Sequence, residues 1–402
     1  MLRELPPTAG QPPRIADLIG RCEPGALEAG LAKLLDYPDP QVECSGTACL
    51  VIALETLKGR SARRSVIVPA FTCPLVVLAA AKAGLKVLPC DLAPDSFDLD
   101  EAHLLQLAGD DTLCVIATHL GGWLTDVARL RQVLPPDIVI IEDAAQAFGA
   151  RQNGQASGMA GDIGFFSFAL GKGFTTYEGG ALVAREAGMR AALRQASQRL
   201  SQPAPGKEWH RCIEFAVFHF LYNRTGLWLV YGTSKNFWLR RGDNIRAIGD
   251  YFDDDIPLHP VSDWRKGVAA RALARFPAHL AASHSTRDRL LAALAGVAGL
   301  ELHRPRAGDE PSSIFVLVTL PSVRQCAATL ERLWHSTLGV SKLFAHVLGD
   351  YDYLVGKLAP AATPNARDLA ARTLTLTTSP WMEEADIAKI VSGIRQGMAD
   401  KA

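Results

Sequence analysis

No sign of charge dominates this sequence. Its 42 lysines and arginines are balanced by 42 aspartates and glutamates. No basic run is long enough to track a phosphate backbone, which argues against a nucleic-acid partner. Cysteine is sparse and scattered, at positions 22, 44, 49, 73, 90, 114, 212 and 326, without C-x-x-C spacing. That argues against a zinc ribbon or a disulfide framework and suits a reducing, cytoplasmic compartment; no metal site is expected. Long uninterrupted apolar runs are missing too. The proline-rich N-terminus lacks an apolar centre and reads as neither a signal peptide nor a transit helix. The most lipid-like segment, 213–231, holds Glu214, His219, Asn223 and Arg224, which are costly at a bilayer centre. It reads as a buried or interface helix pair, and no transmembrane segment is expected.

What is present is a regular alternation. At 402 residues the chain is long enough for two domains. Val66-Ile67-Val68 reads as a strand, followed by a helix that starts at Pro74 and stops before Gly84. Lys86-Val87-Leu88, residues 113–117 and Ile138-Val139-Ile140-Ile141 continue the strands, with a helix over 126–133. Strands that are apolar throughout and separated by helices imply an α/β fold whose mainly parallel sheet is covered by helices on both faces. Ile256-Pro257-Leu258-His259-Pro260 is the candidate boundary. It divides a large domain, 1–258, from a smaller α+β C-terminal domain, 259–402. The large domain would carry an N-terminal arm and an apolar insert at about 205–245. The small one would hold a long helical stretch over 264–294, strands near 314–320 and 373–377, and a terminal helix.

Ligands on such sheets collect at the carboxyl ends of strands. Asp143 stands at such an end, after four branched aliphatics, where a carboxylate is expensive unless a cation or donors face it. Lys172 lies between Gly171 and Gly173 in a loop after the strand-like run Asp162 to Phe168. An acid that holds a ring nitrogen and an amine that attacks an aldehyde are what pyridoxal 5'-phosphate (PLP) chemistry requires. A Walker A loop does not fit, because Gly164 precedes Gly171 by seven residues and Gly173 replaces the Ser/Thr. Cys44-Ser45-Gly46-Thr47 opens an apolar helix whose free N–H groups suit a phosphate, although an ordinary capped helix would look the same. Ser167 and Thr47 are further hydroxyl donors, and Gln146 is placed to touch a ring hydroxyl. His119, ending a strand, reads more readily as hydrogen-bonded structure than as a site residue.

In chain order, Ser45-Gly46-Thr47-Ala48, Val66-Ile67-Val68-Pro69, His119-Leu120-Gly121, Glu142-Asp143-Ala144-Ala145-Gln146, the run Gly161 to Phe168 and the run Lys172 to Gly180 form a set. The set resembles the DegT/StrS family of PLP-dependent sugar aminotransferases, within the fold-type-I aspartate aminotransferase superfamily. The resemblance implies that Lys172 is the Schiff-base lysine, that Asp143 partners the pyridine nitrogen, and that Gln146 lies against the ring hydroxyl. It assigns the phosphate to Ser167 and to the backbone of Gly46, Thr47 and Ala48. It also implies transfer of an amino group, commonly from glutamate, to a nucleotide-linked keto sugar for a surface or secreted glycan. Homodimers with shared sites are the family's usual assembly. Retained Lys172 argues against the family's sugar dehydratases, which lack that lysine. Another PLP reaction, such as that of a lyase or a different transferase, and a non-catalytic regulatory protein are the alternatives. Three positions depart from the pattern. Cys73-Pro74 stands where a stacking aromatic is usual, with Phe71 two residues earlier. Ser379 replaces a common histidine, and Ser262-Asp263-Trp264-Arg265 lies near the place of an Asn-bearing segment.

Overall fold

Apolar strands that cannot expose either face must be layered between helices. The computed structural model, which describes residues 3–21 and 23–399, shows that arrangement. Its main sheet contains β1 (Gln41–Glu43), β2 (Ser65–Pro69), β3 (Lys86–Cys90), β4 (Thr112–Thr118), β5 (Val139–Asp143), β6 (Ile163–Ser167) and β7 (Gly180–Ala184). Their order is β1-β7-β6-β5-β4-β2-β3. The pairings from β3 to β6 are parallel, whereas β7 runs antiparallel to β6, and β1 antiparallel to β7. Every residue of β2, β4 and β6 is buried.

Side-chain alternation assigns the two faces. Val66, Val68, Cys114, Ile116 and Ile141 pack under helices α1 (Gly46–Lys58) and α2 (Pro74–Lys82). Ile67, Val115, Ala117 and Ile140 face the opposite layer, which includes the helices Glu101–Leu107 and Val127–Val133. Each fully buried aliphatic side chain stabilises the fold by roughly 1.5–3 kcal/mol. Ser45 caps α1 by accepting the Ala48 amide at 2.9 Å, and Pro74 occupies the first turn of α2.

A second, antiparallel sheet is built from β8 (Glu301–Leu302), β9 (Phe315–Thr319), β10 (Val340–Ser341) and β11 (Thr373–Thr377), in the order β8-β9-β11-β10. Val316, Val318, Leu374 and Leu376 pack on one face against the helices Phe276–Leu294, Val323–Leu333 and Glu384–Ala399. Phe315 and Leu317, on the other face, join the core beneath the main sheet. The expected helical stretch over 264–294 is divided into two helices, Asp263–Leu273 and Phe276–Leu294. Pro277 sets the break, because its ring and missing N–H are tolerated only in a first turn.

The insert is also more divided than a helix pair. It runs as α3 (Pro205–Leu221), a short helix Arg224–Leu227, a π-helical turn Trp228–Gly232 and a helix Thr233–Leu239. On α3, Phe215 and Phe218 are buried beside Val268, while Trp209, Ile213, Val217 and Phe220 are exposed. Among the described residues no helix is long and apolar enough to cross a membrane. The seven described cysteines are free thiols, and Cys22 lies outside the described residues.

The N-terminal arm is threaded into the body of the protein. The amides of Leu5, Ala9 and Gln11 donate to the carbonyls of Thr337, Ile314 and Gly173 at 2.9, 2.7 and 2.6 Å. Glu4 is buried against Lys235 Nζ at 2.7 Å.

Candidate active site

The carboxyl ends of β4, β5 and β6, the start of α1 and the loop after β6 converge on one cavity of about 400 Å³. Gly46, Thr47, Asp143, Gln146, Ser167 and Lys172 all lie on its wall. Ala48 is not on the wall, and its amide is already engaged by Ser45 Oγ.

Asp143 is the last residue of β5, and 3% of it is exposed. Its Oδ1 accepts the Ala145 amide at 3.0 Å, and Oδ2 has no partner among the described residues. Burial pushes the Asp143 carboxyl above the usual range, against the pull of the Ala145 amide and the charge of Lys172. A carboxylate so placed has no ion-pair partner among the described residues. Lys172 occupies the loop between β6 and β7. Gly171 and Gly173 flank it at φ values of 81° and 82°, left-handed conformations that glycine adopts without strain. Its Nζ has no hydrogen-bond or ion-pair partner among the described residues.

At the start of α1, Ser45 takes up the third helical amide, which leaves the Gly46 and Thr47 amides free of the helix. Ser167 sits directly against Gly46: a Cβ built at Gly46 would stand 2.8 Å from Ser167 Cβ and 3.1 Å from Ser167 Oγ. The bare glycine face, two free amides, the helix dipole and the serine hydroxyl make a cradle for a dianion. Gln146 accepts the Gly121 amide through Oε1 at 3.2 Å, so its amide nitrogen remains available to donate. An anion cradle, a buried carboxylate without an ion-pair partner and an unpaired lysine on one wall are the groups that PLP would engage.

His119 lines the same cavity, but both ring nitrogens are taken. Nδ1 accepts the Thr125 amide at 3.1 Å, so the proton sits on Nε2, 2.8 Å from Glu142 Oε2. Glu142 also receives the amides of Gly158 and Gly161. This buried pair ties the end of β4 to β5 and β6.

Sequence reasoning missed several wall residues. Thr72 and Thr118, whose hydroxyls are 3.2 Å apart, close the floor. Pro7 and Thr8 enter from the arm, and Tyr231 enters from the π-helical turn of the insert. Asp250 also lies on the wall; in the sequence it precedes the acidic run Asp253-Asp254-Asp255 and reads as part of a solvated loop. Among the positions that depart from the pattern, Cys73 lines the cavity and Phe71 does not. The Phe71 ring packs edge-on against Phe344 at 5.4 Å in the core. Ser379 is buried in a turn, where its Oγ accepts the Trp381 amide. Ser262 caps the helix Asp263–Leu273, and Arg265 binds Glu208 through two hydrogen bonds, so this segment serves the fold.

Residues 23–213 match the DegT/DnrJ/EryC1/StrS aminotransferase family. The chain is 37% identical over 142 residues to L-glutamine:2-deoxy-scyllo-inosose aminotransferase of Streptomyces kanamyceticus, covering 35% of this chain and 33% of that protein. The match thus spans about a third of that relative's length. It is 28% identical over 381 residues to UDP-N-acetyl-3-dehydro-alpha-D-glucosamine 3-aminotransferase of Acidithiobacillus ferrooxidans, covering 92% of this chain and 87% of that protein. In fold it is similar to Spr1654 from Streptococcus pneumoniae, a protein assigned as a sugar aminotransferase and solved in its PMP form. The TM-score is 0.74 at 19% identity, over 97% of this chain and 98% of that one.

Proposed function

From the match of residues 23–213 to the DegT/DnrJ/EryC1/StrS aminotransferase family and the likeness to its relatives, we propose that the chain is a PLP-dependent aminotransferase of that family acting on a nucleotide-linked keto sugar. The observation that carries this reading is the sharing of one cavity by Asp143, Lys172 and the cradle at Gly46.

When bound, PLP supplies an electron sink that stabilises negative charge on the carbon losing a proton. The protein's own residues do the rest. Gly46, Thr47 and Ser167 would hold the phosphate, with Ala48 completing the turn behind them. Asp143 would keep the ring nitrogen protonated, which in turn would satisfy the buried carboxylate. Gln146 would face the ring hydroxyl. Lys172 would anchor the cofactor, and its Nζ would take the proton from Cα of the amino donor and later deliver one to the former carbonyl carbon of the sugar. Thr72, Thr118 and the arm residues Pro7 and Thr8 narrow the cavity and exclude water from that transfer.

Glutamate is the proposed donor. The product would enter a surface or secreted glycan, made in the cytoplasm. A homodimer is the proposed assembly, with the exposed apolar face of the insert, Trp209, Ile213, Val217, Phe220, Leu229, Val230 and Phe237, as its contact. The test is spectroscopic. Purified protein with added PLP should develop a visible absorption band, lose it on addition of L-glutamate, and regain it with a keto-sugar nucleotide. Absence of a band with PLP would overturn the reading.

A further inference from the structure

Three carboxylates line the cavity: Asp143, Glu178 and Asp250. Asp143 has the role assigned above, and Glu178 is paired with Arg211 Nε. Asp250 is left over, and the transfer of protons just described makes no use of it.

Its environment is nonetheless built. Asp250 is more than nine-tenths buried. Its Oδ2 accepts the Ala345 amide and the Tyr351 hydroxyl, each at 2.7 Å, and Tyr353 donates its hydroxyl to the Asp250 carbonyl. Tyr351 lies off the cavity wall, so Oδ2 is held on the protein side. Oδ1 has no hydrogen-bond partner among the described residues. Two donors on one oxygen prevent the carboxylate from swinging, which leaves Oδ1 as an acceptor open to the cavity. The arrangement is an acceptor held ready for a donor that arrives with a ligand. Burial pushes the carboxyl up to about 6, against the Ala345 and Tyr351 hydrogen bonds and the charge of Lys172.

We propose that Asp250 is a specificity-determining residue, whose Oδ1 accepts a hydroxyl of a polyhydroxylated ring substrate. This rests on the aminotransferase reading and deepens it: the cavity would select a ring ketone bearing a hydroxyl near the reacting carbon over ketones that lack one. A neutral ligand donor meeting a fixed anionic acceptor gives strong discrimination, because the analogue without the hydroxyl leaves the carboxylate desolvated and unpaired.

The test uses Asp250→Asn, in which the amide oxygen can still accept from Ala345 and Tyr351 while the NH2 group turns a donor toward the ligand. With PLP-loaded protein, the L-glutamate half-reaction is followed by absorbance. Binding of myo-inositol and UDP-N-acetylglucosamine is followed separately by calorimetry. Expected are a glutamate half-reaction and cofactor spectrum within about 2-fold of wild type, and ring-ligand binding weakened by about 10-fold or more. Tyr351→Phe, which removes one clamp only, should weaken ring binding less and leave the glutamate step alone. The proposal is overturned if ring binding is unchanged in Asp250→Asn, if wild type binds neither ring compound, or if the glutamate step falls as far as ring binding. A wild type that binds the rings but ignores glutamate would instead count against the aminotransferase reading alone.

Discussion

Ser167 lies so close to Gly46 that a single methyl group on the glycine would reach 2.8 Å from the serine Cβ and 3.1 Å from its Cα. The second of these atoms is backbone and cannot rotate away. Gly46→Ala should therefore displace β6 from the start of α1, destabilise the protein by about 1–3 kcal/mol and weaken PLP binding at least about 10-fold. Gly59→Ala, just beyond the other end of the same helix, meets nothing nearer than 3.5 Å and should change stability by less than about 0.5 kcal/mol. Urea denaturation and PLP titration of the two variants make the comparison. Equal effects would mean that the close contact is not what holds the cradle.

Lys172→Ala removes the only amine that the proposal places against the aldehyde. Borohydride treatment of PLP-loaded wild type should add the mass of a reduced cofactor to the peptide containing residue 172. The variant should bind PLP reversibly and gain no mass. Attachment of the mass at another lysine would displace Lys172 from its assigned role.

Arg265, fully buried, joins the insert to the loop that follows Lys172. It binds both oxygens of Glu208 at 2.8 and 2.7 Å and donates to the Glu178 carbonyl at 2.5 Å. Removing one partner strands a buried charge, so Glu208→Ala should cost about 3–5 kcal/mol. The double variant Glu208→Leu with Arg265→Met should recover most of that loss. Equilibrium unfolding of the single and double variants decides the matter, and no recovery in the double variant would contradict it.

Asp250 should leave a mark on stability as well. Its carboxyl is raised from 3.8 to about 6 in the folded protein by burial. Across that window the folded chain binds more protons than the unfolded one, so this group lowers stability as pH rises from about 4 to 6. The contribution is at most about 3 kcal/mol. Asp250→Asn should flatten this part of the pH–stability profile, as read from urea midpoints at pH 4.5 and 7. An unchanged slope would show that the carboxyl is not raised.

The exposed stripe of α3 places Trp209, Ile213, Val217 and Phe220 at helical spacing on one side. Val217→Glu with Phe220→Glu should convert a dimer to a monomer in sedimentation while preserving the circular dichroism spectrum. A wild type that sediments as a monomer at micromolar concentration would remove the basis for the assembly.

Much of the site was legible because periodicity and motif pointed the same way. Four aliphatics before Asp143 mark a buried strand end, and two glycines around Lys172 mark a loop of unusual backbone shape. The parallel sheet followed from strands without a polar face. Other features had no local signal. Asp250 is indistinguishable in sequence from its solvated neighbours Asp253 to Asp255, because its partners Ala345 and Tyr351 are distant in the chain. Phe71 looked available to stack on a ligand, yet it packs against Phe344 on the core face that also contains Ile67. The helix break was signalled by Pro277 itself, but the alanine-rich sequence on either side of it reads as helix throughout.

The arm that supplies Pro7 and Thr8 is docked by the carbonyl of Gly173 and by those of Ile314 and Thr337, which lie far later in the chain. The closing of so long a loop is entropically late. Until it happens the pocket lacks a side, so a ligand meets a finished binding site only after Ile314 and Thr337 have been made and have folded. A ligand of the pocket would then pull that late docking step to the folded side.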